Sequence, residues 1–464
     1  MSEHIDLAGR IVEAVRATAP NAEAEVLVDT TSLALTRFAN SMIHQNVADE
    51  TTTVRLVAHV DGRTVTATTT VTGDDALHGF VDRTLDSARL APLDPGWPGL
   101  APAAKLATEG TVDDAIANAS PADRADRIRA FVDAAGGLTT AGYCRTRHSR
   151  AAFANSAGQA VCGATAEIAM DGIARTASSD GSARHASAYL SELDGAKLGA
   201  RAAAKARAGD GATELPPGRY EVVLEPTAVA DVLQALAMFG FDGKAVNERR
   251  SFLAAGEQQM DAAITFVDDA VSPGMIGLPF DDEGTPRRVT PIIENGRTVG
   301  PVQNRRTARE AGTESTGNSG GGVFGAFALN LMLRPSGRDG APAGASDVSE
   351  VDGPAADSTI AALVANVSRG ILVTDHWYTR VLDPRTLVMT GLTRNGVWLI
   401  ENGEITQPLR NFRFTQSYPQ ALGPGAVLGV GTHARAVPNN YSVASFRCPA
   451  LHLASWNFTG GASG

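Results

Sequence analysis

Cysteine is scarce in this chain of 464 residues. Its three thiols, Cys144, Cys162 and Cys448, are widely spaced, and none belongs to a CxxC pair. An odd number of scattered cysteines excludes a disulfide scaffold and favours a reducing compartment. The chain is long enough to bury large hydrophobic cores without such cross-links, and its length allows two or three domains.

Basic charge is also in short supply. The chain carries 40 basic against 51 acidic residues, a net charge of −11, and only four of the basic residues are lysine. A nucleic-acid-binding protein normally shows a basic excess or a basic stripe. Neither is present, so binding to nucleic acid is not expected.

Long apolar segments are missing as well. No window of about 18 uninterrupted apolar residues occurs, which excludes the usual transmembrane helix. Residues 1–10 lack the basic start and apolar stretch of a secretory signal. The composition, 43% hydrophobic and 20% charged, is that of an ordinary globular protein. We therefore expect a soluble cytoplasmic protein without a membrane partner.

The periodicity of apolar residues predicts an α+β fold. Helical spacing marks the segments 5–15, 77–90, 121–135 and 193–208, and apolar-polar alternation marks strands at 22–28, 32–38, 51–60, 64–71 and 145–174. Glycine and proline break all periodicity between 209 and 218. After residue 240 the pattern is mostly β. We predict an N-terminal α/β-layered domain, 1–214, and a mostly antiparallel β domain, 215–464.

No short motif identifies an active site. The nine histidines are dispersed, since the nearest two, His44 and His59, are 15 residues apart, and no HExxH or HExxxH sequence exists. Two histidines that share a zinc ion on one helix face need a spacing of three to five residues. A site assembled from His376, His433 and Cys448 remains an alternative, although isolated histidines are the favoured interpretation.

Ser319 lies in the sequence Gly-Asn-Ser-Gly-Gly, which imitates the surroundings of a serine nucleophile. Such a nucleophile needs a histidine base and, in a nucleophile elbow, a strand that leads directly into the serine. Residues 312–316 are loop-like, so a glycine-rich loop is favoured. The acidic run at Asp281, Asp282 and Glu283 could hold a divalent cation, but a solvated turn is the more ordinary interpretation.

An ordered series of segments resembles the TldD/PmbA family of metalloprotease-related proteins. The segments that carry the resemblance are 222–226, 280–286, 292–296, 306–309, 315–318, 370–374 and 400–405. The resemblance extends over nearly the whole chain and implies the two-domain TldD/PmbA fold. It also implies that one branch of the family, TldD, hydrolyses peptides with a zinc ion held by a His-Glu-x-x-x-His helix and a distant cysteine. The other branch, TldE or PmbA, lacks those ligands and pairs with TldD.

The zinc-helix positions place this chain nearer to the TldE-like branch. An ungapped overlay on the strand 222–226 puts the motif at 234–239, where Gln234, Ala235 and Phe239 replace the two histidines and the glutamate. Cys448 lacks the Gly-x-Cys-Gly setting of the family's ligand cysteine. The segment 226–239 is thus expected to be a degenerate zinc helix, with no catalytic residue and no metal ligand in this chain.

The resemblance implies a non-catalytic subunit that completes a peptide-binding chamber for a zinc-containing TldD-type partner. Peptides or unfolded protein segments would be the substrate. Candidate residues for contact with substrate or partner are Asp281, Asp282, Glu283, Thr316 and Asn318. Two alternatives remain open: a self-sufficient peptidase with a non-standard site, and a stand-alone homodimeric peptide-binding protein. Homodimerisation in isolation is also expected if an apolar interface is left exposed.

Overall fold

The computed structural model describes residues 2–320, 325–336, 353–355, 357–439 and 445–461. One six-stranded antiparallel sheet, in the order β3-β2-β1-β4-β5-β6, forms the centre of the N-terminal half. Its strands are β1 (Glu23–Ala39), β2 (Met42–Val60), β3 (Arg63–Thr69), β4 (Thr139–Asn155), β5 (Ala160–Arg175) and β6 (Asp180–Ser187). The helices of this half are α1 (Ser2–Thr18), α2 (Asp74–Leu90), α3 (Asp114–Ala117), α4 (Pro121–Ala134) and α5 (Gly195–Ala208).

Alternation along the strands gives the N-terminal sheet two different faces. Val26 and Val28 of β1 and Val54 and Leu56 of β2 are buried against α1 and α2. Successive side chains of a strand point to opposite faces, so the odd-numbered residues of β1 and β4 face away from these helices. This second face is turned towards the C-terminal half and lines the cavity described below.

β1 is one strand of 17 residues, whereas the sequence pattern predicts two short strands there. The polar residues between the two apolar segments continue the strand because their side chains pair across the sheet. Thr30 Oγ1 lies 2.8 Å from Thr52 Oγ1, and Thr31 Oγ1 lies 2.8 Å from Ser149 Oγ. The polar residues at this break in the pattern therefore belong to a continuous strand, in which hydroxyl groups pair across the sheet, and not to a turn.

The C-terminal half contains two sheets. One runs in the order β10-β9-β8-β11-β18-β17; in the other, β12, β7, β19, β15 and β13 close into a ring because β13 also pairs with β12. The strands are β7 (Gly218–Leu224), β8 (Phe266–Asp268), β9 (Thr290–Glu294), β10 (Arg297–Thr298), β11 (Leu331–Leu333), β12 (Arg369–Asp383), β13 (Val388–Glu401), β14 (Glu404–Pro408), β15 (Phe412–Ser417), β16 (Val427–Val430), β17 (Arg435–Val437), β18 (Phe446–Cys448) and β19 (Leu451–Gly461). The helices are α6 (Pro226–Ala235), α7 (Gly243–Asn247), α8 (Arg305–Ala311), α9 (Ser358–Val364) and α10 (Tyr418–Ala421).

Most strand pairs are antiparallel, and the predicted α+β class is confirmed. The pairs β7–β12 and β11–β18 are parallel. Helix α6 contacts strands of both C-terminal sheets, and its apolar stripe of Val229, Val232 and Leu233 is buried. None of the described helices combines the length and apolar character needed to cross a membrane.

Candidate functional site

A cavity of about 370 Å³ lies between the second face of the N-terminal sheet and loops of the C-terminal half. The strands β1, β2, β4 and β5 supply one wall, and the opposite wall comes from segments near residues 276–282, 287, 318–319 and 329–330. The volume is within the range of small-ligand sites. Of the five candidate contact residues, Asp281, Asp282 and Asn318 line this cavity, whereas Glu283 and Thr316 lie outside its lining.

The acidic run forms a tight turn that is held by its first carboxylate. Asp281 accepts hydrogen bonds from the backbone N–H groups of Glu283 at 3.0 Å, Thr285 at 2.9 Å and Ser319 at 2.9 Å. Asp281 therefore fixes both its own turn and the neighbouring loop. Glu283 accepts from the backbone N–H of Arg305, the first residue of α8, at 2.9 Å. These two carboxylates stabilise the backbone beside the cavity.

The same turn is attached to the N-terminal sheet. Gly284 adopts a positive φ of 72°, and a Cβ there would come within 2.2 Å of the Phe153 ring on β4. Gln159 donates to the carbonyl of Gly284 at 2.8 Å, and the Arg55 guanidinium donates to the carbonyl of Asp282. Only glycine allows the turn to approach the sheet this closely.

Asn318 belongs to a buried polar network centred on Asp268. The Asp268 carboxylate accepts from Asn318 Nδ2 at 2.9 Å, from Arg287 Nη2 at 2.7 Å and from the backbone N–H of Asn330 at 2.9 Å. Arg287 also donates to Asn330 Oδ1 at 2.8 Å. Thr316 stands behind this network and donates to Asn318 Oδ1 at 2.8 Å. The network fixes the cavity wall, and no sequence motif points to Asp268, Arg287 or Asn330 as site residues.

Burial determines the protonation of the carboxyl groups around the turn. Burial, and then the charge of Glu283, raise the pKa of Glu25 on β1 to about 8. Burial is also the main cause that raises the pKa values of Asp281 and Glu283. The charge of Asp281 further raises the pKa of Glu283, and the charges of both carboxyls raise the pKa of Glu25. Asp29 and Asp282 have raised pKa values for the same reason. Burial disfavours the charged form of a carboxyl, and the Glu25 carboxyl, with a pKa of about 8, holds its proton at neutral pH.

The residues at the positions to which the sequence resemblance assigns the zinc helix do not fit a zinc ion. Gln234 and Phe239 are half-buried and Ala235 is buried, and none of the three side chains is a usual zinc ligand. The α-helix ends at Ala235 and continues as a π-helical turn, Leu236–Gly240, closed by a hydrogen bond from Phe241 N–H to the Leu236 carbonyl at 2.8 Å. The predicted helix through residue 239 is thus an α-helix with a π-helical end.

The alternative metal site is not assembled either. Cys448 is buried, burial raises the pKa of its thiol, and the thiol donates to the Pro226 carbonyl at 3.2 Å. The His376 side chain is fully buried between the rings of Phe414 and Trp456. Within the described ranges, no three side chains of His, Cys, Asp or Glu are close enough to hold a metal ion.

Ser319 does lie at the cavity, but its surroundings do not match those of a serine nucleophile. The segment between α8 and Ser319 is a loop, as the sequence predicts, and Gly321 of its motif lies outside the described residues. No histidine is found among the described residues that line the cavity. The general base that a serine nucleophile needs is therefore missing from this part of the site.

A model of the PmbA/TldA metallopeptidase C-terminal domain matches residues 217–460, which is more than half of the chain. The chain belongs to the TldD/PmbA family. A metalloprotease of Methanothermobacter thermautotrophicus is 27% identical over 193 residues, 39% of this chain and 42% of that protein. A metalloprotease of Methanocaldococcus jannaschii is 30% identical over 106 residues, 22% of this chain and 24% of that protein. The alignments thus span less than half the length of these curated relatives.

Solved structures show the same fold over nearly the whole chain. TldE from Thermococcus kodakarensis superposes with a TM-score of 0.84 at 18% identity, covering 98% of this chain and 100% of that one. A proposed modulator of a DNA gyrase from Thermotoga maritima superposes with a TM-score of 0.80 at 20% identity, covering 97% and 100%. The two-domain TldD/PmbA fold implied by the sequence resemblance is confirmed.

Proposed function

We propose that this chain is the non-catalytic, TldE-like subunit of a cytoplasmic TldD/TldE-type zinc metallopeptidase complex. The observation that carries the proposal is the zinc helix, in which Gln234, Ala235 and Phe239 stand at the ligand and base positions. A zinc ion in the TldD-type partner would polarise the water that attacks the peptide bond. This chain would contribute binding surface to the chamber in which the peptide is cleaved.

The outer edge of β2 supports the need for a partner chain. β3 pairs with β2 only from Val54 to Val60, and within the described part of the chain no other strand pairs with the outer side of residues 42–53. Met42, Ile43 and Val47 on this segment are exposed, at 68%, 39% and 43%. A long strand edge with exposed apolar residues and without lysine or proline is normally covered by another chain.

The cavity supports a role in binding peptide. It lies against the second face of the N-terminal sheet, and it is lined by both donors and acceptors of hydrogen bonds, including Arg147 and Asp29. A peptide segment presents N–H and C=O groups that such walls can pair with. The three cysteines are free thiols, which supports the cytoplasmic location.

Reconstitution tests this proposal. The purified chain, a TldD-type protein and their mixture are compared for complex formation by analytical ultracentrifugation and for hydrolysis of an unfolded protein. We expect a mixed complex, with hydrolysis that requires the partner's zinc ligands. Substituting Ser319→Ala in this chain tests the self-sufficient serine peptidase, because loss of the hydroxyl should not abolish hydrolysis by the mixture. A metal-independent activity of this chain alone, lost in the Ser319→Ala variant, would contradict the proposal.

A further inference from the structure

Several hydrogen-bond donors that line the cavity have no acceptor. Arg55 Nε, Arg145 Nε and Thr165 Oγ1 are buried without a hydrogen-bond partner. Within the described ranges, the Arg147 guanidinium takes part in no hydrogen bond and no ion pair, although it feels the charges of Glu167 and Asp29. All four side chains line the same cavity. Buried donors are nearly always paired, so these three buried donor atoms, together with the Arg147 guanidinium in the same cavity, point to an absent acceptor.

Arg147 differs from the other three side chains because its charged group takes part in no hydrogen bond within the described ranges. On β4 it stands opposite Leu33 of β1 and Glu167 of β5. Glu167 is already engaged, since its carboxylate forms an ion pair with Arg145 at 3.1 Å. Asp29 accepts from the Thr31 hydroxyl at 3.0 Å and forms no ion pair with Arg147 among the described residues. Arg287, another of the four arginines that line the cavity, is neutralised by Asp268 at 2.7 Å.

We propose that the cavity binds a carboxylate of a peptide and that Arg147 is the residue that holds it. This inference rests on the proposed function and adds the chemical class of the bound group. A guanidinium binds a carboxylate through two parallel hydrogen bonds, and such charge-assisted bonds are about twice as strong as neutral ones. Arg55 Nε, Arg145 Nε and the Thr165 hydroxyl then donate to the carboxylate and to neighbouring peptide carbonyls. Asp29 and Asp282 accept from peptide N–H groups.

The carboxylate can come from the C-terminus of a peptide or from an acidic side chain, and the test separates the two. A hexapeptide with an N-terminal fluorophore is prepared with a free C-terminus or a C-terminal amide, each with glutamate or glutamine at an internal position. Fluorescence anisotropy measures its binding to the full chain. If amidation alone weakens binding, the C-terminal carboxylate is bound, and if the Glu-to-Gln exchange alone weakens it, the side chain is bound.

The variants Arg147→Gln, Arg147→Lys and Arg150→Gln are compared with the native chain. Arg150 is the matched control because it lies three residues further along β4, on the opposite face of the sheet. We expect Arg147→Gln to weaken binding by about ten- to a hundredfold and to remove the preference for the carboxylate. Arg147→Lys keeps the charge but not the paired geometry, so it should retain part of the affinity. Unfolding curves verify that each variant is folded.

Equal binding by the folded Arg147→Gln and Arg150→Gln variants would overturn the inference. So would a native chain that binds no peptide, or one that binds the amidated glutamine peptide as tightly as the acids. The proposed function is scored separately, by hydrolysis of the amidated glutamine peptide when the TldD-type partner is added. Hydrolysis without carboxylate preference leaves the proposed function standing, whereas absence of hydrolysis on mixing counts against the proposed function itself.

Discussion

Lys205 Nζ lies 2.6 Å from Glu225 Oε2, and both side chains are at most 3% exposed. Lys205 belongs to the last turn of α5 in the N-terminal half, and Glu225 is the residue immediately before α6. Thr374 on β12 donates to the other oxygen of Glu225 at 3.0 Å. This ion pair therefore connects the N-terminal half to the start of α6.

Removing the lysine of this pair should destabilise the protein strongly. Lys205→Met leaves the Glu225 carboxylate buried without its cation, and such a loss costs about 3–5 kcal/mol. Urea unfolding measures the free energy. Lys197→Met, an exposed position on the same helix, is the control and should change stability by less than about 0.5 kcal/mol. The double variant Lys205→Met/Glu225→Gln should regain part of the loss. Equal stability of the two lysine variants would contradict this account.

Stability should fall as the pH rises towards 8. The pKa of Glu25 is about 8 in the folded protein against its ordinary value of 4.5, because of burial and the charge of Glu283. Between these two pKa values the folded state holds a proton that the unfolded state has released. The resulting stabilisation is fully present below the pKa of the unfolded state and is lost as the pH rises through the pKa of the folded state. Glu25→Gln should flatten the dependence between these two values, measured by urea unfolding. The exposed Glu294→Gln is the control. An unchanged slope in Glu25→Gln would refute the assignment.

Asp281→Ala should destabilise the turn beside the cavity. The substitution leaves three backbone N–H groups, those of Glu283, Thr285 and Ser319, without their acceptor. Unsatisfied donors of this kind cost about 1–3 kcal/mol each, and solvent will satisfy some of them, so we expect a loss of about 2–4 kcal/mol. Asp281→Asn keeps one acceptor oxygen and should lose less. Thermal unfolding checks whether stability decreases from the native chain to Asp281→Asn and then to Asp281→Ala. An Asp281→Ala variant as stable as the native chain would contradict this prediction.

Cys448 should be unreactive in the folded protein. Burial raises the pKa of its thiol, which donates to the Pro226 carbonyl, whereas a zinc ligand or nucleophile must be a thiolate. Labelling with iodoacetamide at pH 8, followed by mass spectrometry, should modify the half-buried Cys162 and spare Cys448. Denaturation should expose both thiols. Native labelling of Cys448 at the rate of Cys162 would show that the thiol is more accessible and more acidic than the structure indicates.

The elements that a local pattern determines were predictable from the sequence. The hairpin turn at Asp61 and Gly62 has the positive φ values, 48° and 76°, that its residues favour. Helices α2, α4 and α5 lie where apolar spacing places them. The length of β1 was not predictable, because its central threonines are extended only through partners on β2 and β4.

The candidate site was predictable only in part, for the same reason. The acidic run and Asn318 were recognised from the family resemblance, and the structure brings Asp281, Asp282 and Asn318 to one cavity. Arg147 gave no signal, since an arginine in an alternating strand resembles any exposed position until the opposite wall is known. Asp268 and Arg287 form their ion pair across 19 positions of sequence, and no spacing rule connects them.

Zinc content tests the central claim most directly. Inductively coupled plasma mass spectrometry is applied to the purified chain, to a TldD-type protein and to their isolated complex, with peptide hydrolysis measured on the same samples. Our account predicts no stoichiometric zinc in this chain and one zinc per TldD-type subunit in the complex, with hydrolysis only when that subunit is present. Stoichiometric zinc and peptide hydrolysis in the purified chain alone would contradict it.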